Sequence, residues 1–217
     1  MNIILVIIAI TAIFSYRGFT DVQTFEKYKF NVAAIAQRKE YVRLISAGFL
    51  HADWMHLFFN MLTLYFFGPI ILQTFGTIGF LTIYLGSIVL GNLFSLYLYK
   101  KQPWYSAIGA SGGVSGILFA AIAIFPQIGI MFFFIPIPIP GYIFGALYFG
   151  YSVYMMLNPN QYDNIGHAAH LGGAFFGLVY SLMMIPQMAI QNSMYIGIMS
   201  LPLLYLGYEL FINKKIR

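Results

Sequence analysis

Charge is what this 217-residue chain has least of. Asp, Glu, Lys and Arg make up 8% of it, against roughly 25% in a soluble domain, so the chain cannot cover a water-facing surface. A soluble globular enzyme, a disordered segment and a nucleic-acid binder are excluded together. The net charge of +5 rests on 11 Lys and Arg, and these sit beside apolar stretches, as juxtamembrane charges do. No nucleic-acid partner is expected. Cysteine is absent, which removes thiolate metal sites, a cysteine nucleophile and disulfides.

What is present is apolar: 60% of the residues are hydrophobic. No Asp, Glu, Lys or Arg occurs in 1–16, 54–99, 102–162 or 164–208. A bilayer-crossing helix needs about 20 apolar residues, so each of the three longer runs has room for two. Gly68-Pro69 and Gly76 divide the first of these, Pro126 the second and Pro186 the third. The fold expected is an all-α polytopic membrane protein, one membrane-embedded domain over 1–217. Its seven spans are expected near 1–17, 53–72, 77–98, 110–125, 139–157, 165–185 and 193–212, in contact with the lipid bilayer. The first run lacks a basic start and a small-residue cleavage site, so it is expected to be a retained helix. The run from Phe132 to Pro140, with proline at 136, 138 and 140, cannot be a regular helix and is expected as extended chain at the interface. Residues 17–53 carry six of the basic residues and four of the acids, with Phe25, Tyr28, Phe30, Val32, Ile35 and Tyr41 among them. That pattern suits an element lying in the headgroup region.

Polar groups inside spans are costly and mark function by default. Three clusters stand out. His51 and His56 open the second span, and Asn60 lies about 40° from His56 around a helix, on the same face. Read alone, this pair fits an interhelical polar contact as well as a site. Gly109-Ala110-Ser111-Gly112-Gly113 opens the fourth span, where its G-x-x-x-G spacing also serves close helix packing. At the sixth span, His170, Gly173 and Gly177 share one face, so another backbone can approach His170 closely. If that backbone is the helix of Ser111, a Ser–His hydrogen bond becomes feasible. Together the clusters supply what acyl transfer requires: a serine, a base to take its proton, and donors for the developing oxyanion. Asp163, seven residues before His170, is about 10 Å away along a helix axis, so a Ser–His dyad is expected, not a triad. An α/β-hydrolase elbow would need a preceding strand and an acid between serine and histidine in chain order. A zinc protease would need His-Glu-x-x-His. Gly109–Gly113 satisfies the elbow's G-x-S-x-G, but the residues between Ser111 and His170 are apolar spans with only Asp163, and His-Glu-x-x-His is absent; no metal and no cofactor are expected.

In order and spacing these residues resemble the rhomboid family of intramembrane serine proteases, from about Glu40 to Gly177. The family's G-x-S-G motif is matched by Gly109, Ala110, Ser111 and Gly112, its H-x-x-x-N pair by His56 and Asn60, and its A-H-x-x-G context by Ala169, His170 and Gly173. His51 matches a further histidine, and Arg43 keeps the arginine of the loop's Trp-Arg pair where Val42 replaces the tryptophan. The resemblance implies a six-helix core plus one C-terminal transmembrane helix, with 17–53 as the embedded first loop. It implies Ser111 as nucleophile, His170 as general base, and an oxyanion and substrate-binding site of His56, Asn60, Gly109 and the Ser111 amide, with His51, Arg43, Gly173 and Gly177 in support. Single-span membrane proteins, cut in or near their transmembrane helices, are the implied substrates. The alternative is an inactive rhomboid-like protein that binds such segments. Some members stack an aromatic residue four positions after the serine on the catalytic histidine; this chain has Ser115 there, so another residue must hold the imidazole.

With seven spans, loop 17–53, Lys100, Lys101 and the terminal Lys214, Lys215 and Arg217 share one side of the membrane. The positive-inside rule would make that side cytoplasmic. The resemblance makes it extracytoplasmic, and that orientation is taken, with a bacterial inner membrane as the expected location. Nothing in the sequence assigns an oligomeric state.

Overall fold

The computed structural model describes residues 2–132, 135–160 and 162–213; Lys214, Lys215 and Arg217, invoked above for orientation, lie outside them. The chain is mostly helical, with two small β pairs as departures from an all-helical reading. Helix α1 (Ile3–Thr20) starts where the Asn2 side chain accepts the Ile4 N–H at 3.0 Å. The loop that follows is built of short pieces: α2 (Val22–Tyr28), β1 (Phe30–Asn31), α3 (Val32–Ala36), α4 (Arg43–Ser46) and a 3-10 turn at Ala47–Phe49. Strand β1 pairs with β2 (Ser106–Ala107), which ties the loop to the chain just before Ser111.

Helix α5 (Trp54–Tyr99) is two helices broken at Gly76, whose φ of 66° is one that glycine adopts without steric cost. Then come α6 (Ser111–Ile124), a hairpin of β3 (Gly129–Phe132) and β4 (Ile135–Pro140), α7 (Gly141–Leu157), α8 (His167–Met184), the short α9 (Pro186–Gln191) and α10 (Ser193–Phe211). Of the 132–140 run, expected as extended chain, Phe132 ends β3 and 135–140 form β4, two strands of one antiparallel pair; 133 and 134 lie outside the described residues. The strands meet at Gly129–Pro140, Ile130–Ile139 and Phe132–Ile135, with an irregularity between Ile130 and Phe132, and the prolines at 136, 138 and 140 have no N–H to give to a ladder.

Helix α6 is the centre of the molecule. Every residue from Gly112 to Ile124 is buried, chiefly between α5 and α8. Lipid tails are as apolar as leucine, so hydrophobicity alone does not drive such helices together; close backbone approach does. Glycine permits it here. A Cβ on Gly173 would overlap the Gly112 carbonyl, one on Gly177 the Gly116 carbonyl, and one on Gly91 the Ala169 carbonyl. At its C-terminus α6 is capped by buried Asn192, which donates to the carbonyls of Ala123 and Ile124 at 3.0 and 3.1 Å. Helix α10 packs mainly on α7, to one side. By length and composition three described helices suffice to cross a bilayer: α1, α5 and α10.

Candidate active site

Two helix starts meet at the candidate site. Ser111 is the first residue of α6, His170 lies in the first turn of α8, and the glycine contacts hold those turns together. His170 Nε2 stands 2.6 Å from Ser111 Oγ, a distance at which an imidazole can accept the hydroxyl proton.

The first turn of α5 supplies the third wall. Asp53, three residues before His56, caps α5 by accepting the His56 N–H at 2.8 Å, which sets the helix start at Trp54. The Ala52 N–H points at His56 Nδ1 from 3.5 Å, favouring the tautomer with its proton on Nε2. That nitrogen faces Gly109: a Cβ at Gly109 would lie 2.8 Å from Nε2, 2.7 Å from the adjacent ring carbon and 3.5 Å from Ser111 Oγ. Gly109 also has φ 122°, which side chains rarely adopt. Asn60 is buried one turn below and donates from Nδ2 to the His56 carbonyl at 2.9 Å.

The loop holds the residues just before the nucleophile. The Gly109 N–H donates to the Ala47 carbonyl at 3.0 Å, so Gly109 contributes space and not a donor. The Ala110 N–H donates to His51 Nε2 at 3.3 Å; Nδ1 therefore carries the proton and donates to Ser15 Oγ at 2.8 Å, whose hydroxyl donates to the Phe49 carbonyl at 2.9 Å. His51 is fully buried, and burial first, then neighbouring His56, pushes its pKa below the ordinary histidine value, while Asp53 opposes them. With 109 and 110 so engaged, the amides of 111–113 are the ones at the helix start that have no intrahelical acceptor.

Arg43 sits away from the dyad, buried in the loop. It donates to the Glu26 and Lys29 carbonyls at 2.7 and 2.8 Å and to Glu40 at 2.6 Å. The Arg38 and Arg43 guanidiniums hold the Glu40 carboxyl below its ordinary pKa. Asp163 reaches His167, not His170, at 2.8 Å. Burial pushes its carboxyl up, but the Ile165 N–H and His167 outweigh that and hold it below the usual value.

Tyr148 was not legible in the sequence. Its ring stands against His170, centroids 6.2 Å apart and planes 22° from parallel, and its hydroxyl bonds Ser115 Oγ at 2.8 Å. Nothing separates it from the chain's other tyrosines in a linear reading; only Ser115, a polar residue inside a span, signalled that something approached α6. Among the described residues no group of three or more His, Asp or Glu is arranged to hold a metal ion.

A profile of the rhomboid domain matches residues 38–187. The chain belongs to the rhomboid family. This rhomboid is 31% identical over 155 residues to rhomboid protein 1, mitochondrial, of Saccharomyces cerevisiae, covering 66% of this chain and 43% of that one. It is 32% identical over 146 residues to RHOMBOID-like protein 12, mitochondrial, of Arabidopsis thaliana, covering 60% and 43%. It is 37% identical over 79 residues to the putative rhomboid protease YdcA of Bacillus subtilis, covering 36% and 38%. The rhomboid thus spans less than half the length of these relatives. Further relatives carry names marked inactive or chloroplastic. The mitochondrial and chloroplastic names overturn the expected bacterial inner membrane and point to an organellar one.

Proposed function

We propose that this rhomboid is an intramembrane serine endopeptidase that cuts single-span membrane proteins in or near their transmembrane helices, in an organellar inner membrane. The observation that carries this is the 2.6 Å contact between Ser111 Oγ and His170 Nε2. As His170 accepts the hydroxyl proton, Ser111 Oγ attacks the scissile carbonyl; His170 then returns the proton to the leaving amine. Water, deprotonated by His170, releases the acyl group from Ser111. The oxyanion is met by the His56 Nε2–H and by the Ser111 amide at the positive end of α6, while Asn60, bonded to the His56 carbonyl, steadies the turn that carries His56.

The spans in this reading are α1, the two halves of α5, α6, α7 and α8, a six-helix core, with α10 as the added seventh. Helix α6, at 14 residues, rises only about 21 Å of a hydrocarbon layer about 30 Å thick. Its irregular approach, 102–110, occupies the remaining depth, so Ser111 is recessed on the side of loop 17–53, where water must reach it. A transmembrane helix shields its own peptide bonds, so substrates must unwind there, and helix-weakening Gly, Pro or polar residues mark where.

The alternative, an inactive rhomboid-like protein that binds transmembrane segments, draws on the inactive relative; the short Ser111–His170 contact speaks against it. Full-length protein reconstituted with a transmembrane-helix reporter decides between them. Wild type should cleave and take up a fluorophosphonate at Ser111, and Ser111→Ala should do neither. Cleavage by Ser111→Ala at the wild-type rate ends the dyad assignment.

A further inference from the structure

The imidazole of His170 must be held in one rotamer to serve Ser111, and its usual anchor is missing: the nearest carboxylate, Asp163, is engaged by His167. What lies against the ring is Tyr148, from α7. Its hydroxyl is tied to Ser115, one turn after Ser111 on the same face of α6. Helix α6 thereby carries the nucleophile and also fixes the support of its base.

Tyr148 is itself held from outside. One turn earlier on α7, Gly145 leaves a notch filled by Met199 of α10, which is 1% exposed. A Cβ at Gly145 would collide with Met199 and lie 3.2 Å from the Phe119 ring. Phe119 in turn lies 5.3 Å from Tyr148, centroid to centroid. Tyr142 and Tyr195, with centroids 4.9 Å apart, join the same two helices near their starts. A continuous path of side chains thus runs from Met199 through Phe119 and Tyr148 to His170. Helix α10 lies beyond residue 187, where the matched rhomboid domain ends.

We propose that Tyr148 is the positioning residue of His170, anchored by Ser115, and that α10 keeps it there by seating Met199 in the Gly145 notch. This rests on the protease reading above. The C-terminal helix is then a working part of the active site and not only one more membrane anchor.

The test uses full-length protein in proteoliposomes, a transmembrane-helix reporter for kcat and KM, and a fluorophosphonate for Ser111 reactivity. Misplacing a catalytic group by an ångström costs up to about 100-fold, so Tyr148→Ala should lower kcat about 10- to 100-fold with KM within about twofold. Tyr148→Phe and Ser115→Ala, which each break the same hydrogen bond, should each cost about threefold to tenfold, and the double variant no more than either. Met199→Ala should slow wild type about threefold to tenfold and have no further effect in the Tyr148→Ala background. Leu204→Ala, on the exposed face of α10, should change nothing. A kcat for Tyr148→Ala within twofold of wild type overturns the positioning role. Should that variant fail to fold, additive losses from Tyr148→Phe and Ser115→Ala overturn it instead. Equal effects of Met199→Ala in both backgrounds overturn the brace. Failure of wild type itself to label or cleave is a different result: it removes the protease reading, and this proposal with it.

Discussion

At the scale of the residue, Gly109 joins two constraints at one position. Its φ of 122° disfavours any side chain, and the space a Cβ would take is filled by the His56 ring. Gly109→Ala should therefore push His56 Nε2 away from the oxyanion, and losing one such donor costs on the order of 10²–10³ in kcat. Steady-state kinetics check it, and KM should move little. His51 makes a prediction of another kind. Its only consistent tautomer has Nε2 as acceptor for the Ala110 N–H, so protonation would break that bond. Burial lowers its pKa in the folded state. On acidification the unfolded chain takes up this proton first, near the ordinary value of about 6.5, so the stability from neutral His51 is full above that pH and lost as the pH falls below it. Thermal midpoints measured from pH 7 down to pH 4 should fall more steeply for wild type than for His51→Gln.

At the scale of the element, the meeting of α5, α6 and α8 is backbone against backbone. Gly173→Ala would set a methyl group into the Gly112 carbonyl, so α8 must move away from α6, at a cost of about 1–3 kcal/mol by analogy with overpacked cores. The same shift should lengthen the Ser111–His170 contact, so a lowered thermal midpoint and a loss of fluorophosphonate labelling are expected together. A stable variant with wild-type labelling would contradict it. Much of this interface was legible: charge-free runs located the helices, and Gly173 and Gly177 fell on the face of His170. Less visible was that the irregular segments make contacts of their own. The 132–140 run reads as a helix breaker, which fixes what it is not; pairing with 129–132 depends on a partner strand and not on composition. Tyr148 was hidden for the same reason, since its role comes from where α7 crosses Ser115. The place of Arg43 was legible only as a match: its partners are backbone carbonyls of 26 and 29, which no side-chain pattern announces.

At the scale of the whole molecule, loop 17–53 and the active site lie at one end of the bundle, since the loop's Ala47 and His51 hold the amides of 109 and 110. The absence of native cysteine makes the side of the membrane directly measurable. A single cysteine introduced as Lys101→Cys should react with a membrane-impermeant maleimide from the same side as one introduced as Lys39→Cys. Reaction from opposite sides would contradict the shared face. Far from that end, β4 has carbonyls but no amide hydrogens at 136, 138 and 140. Such a strand is no full template for another. A segment lying along β4, whether a substrate unwound from its helix or a second copy of the chain, therefore finds acceptors without alternating donors there, so only the β3 side offers a ladder to extend.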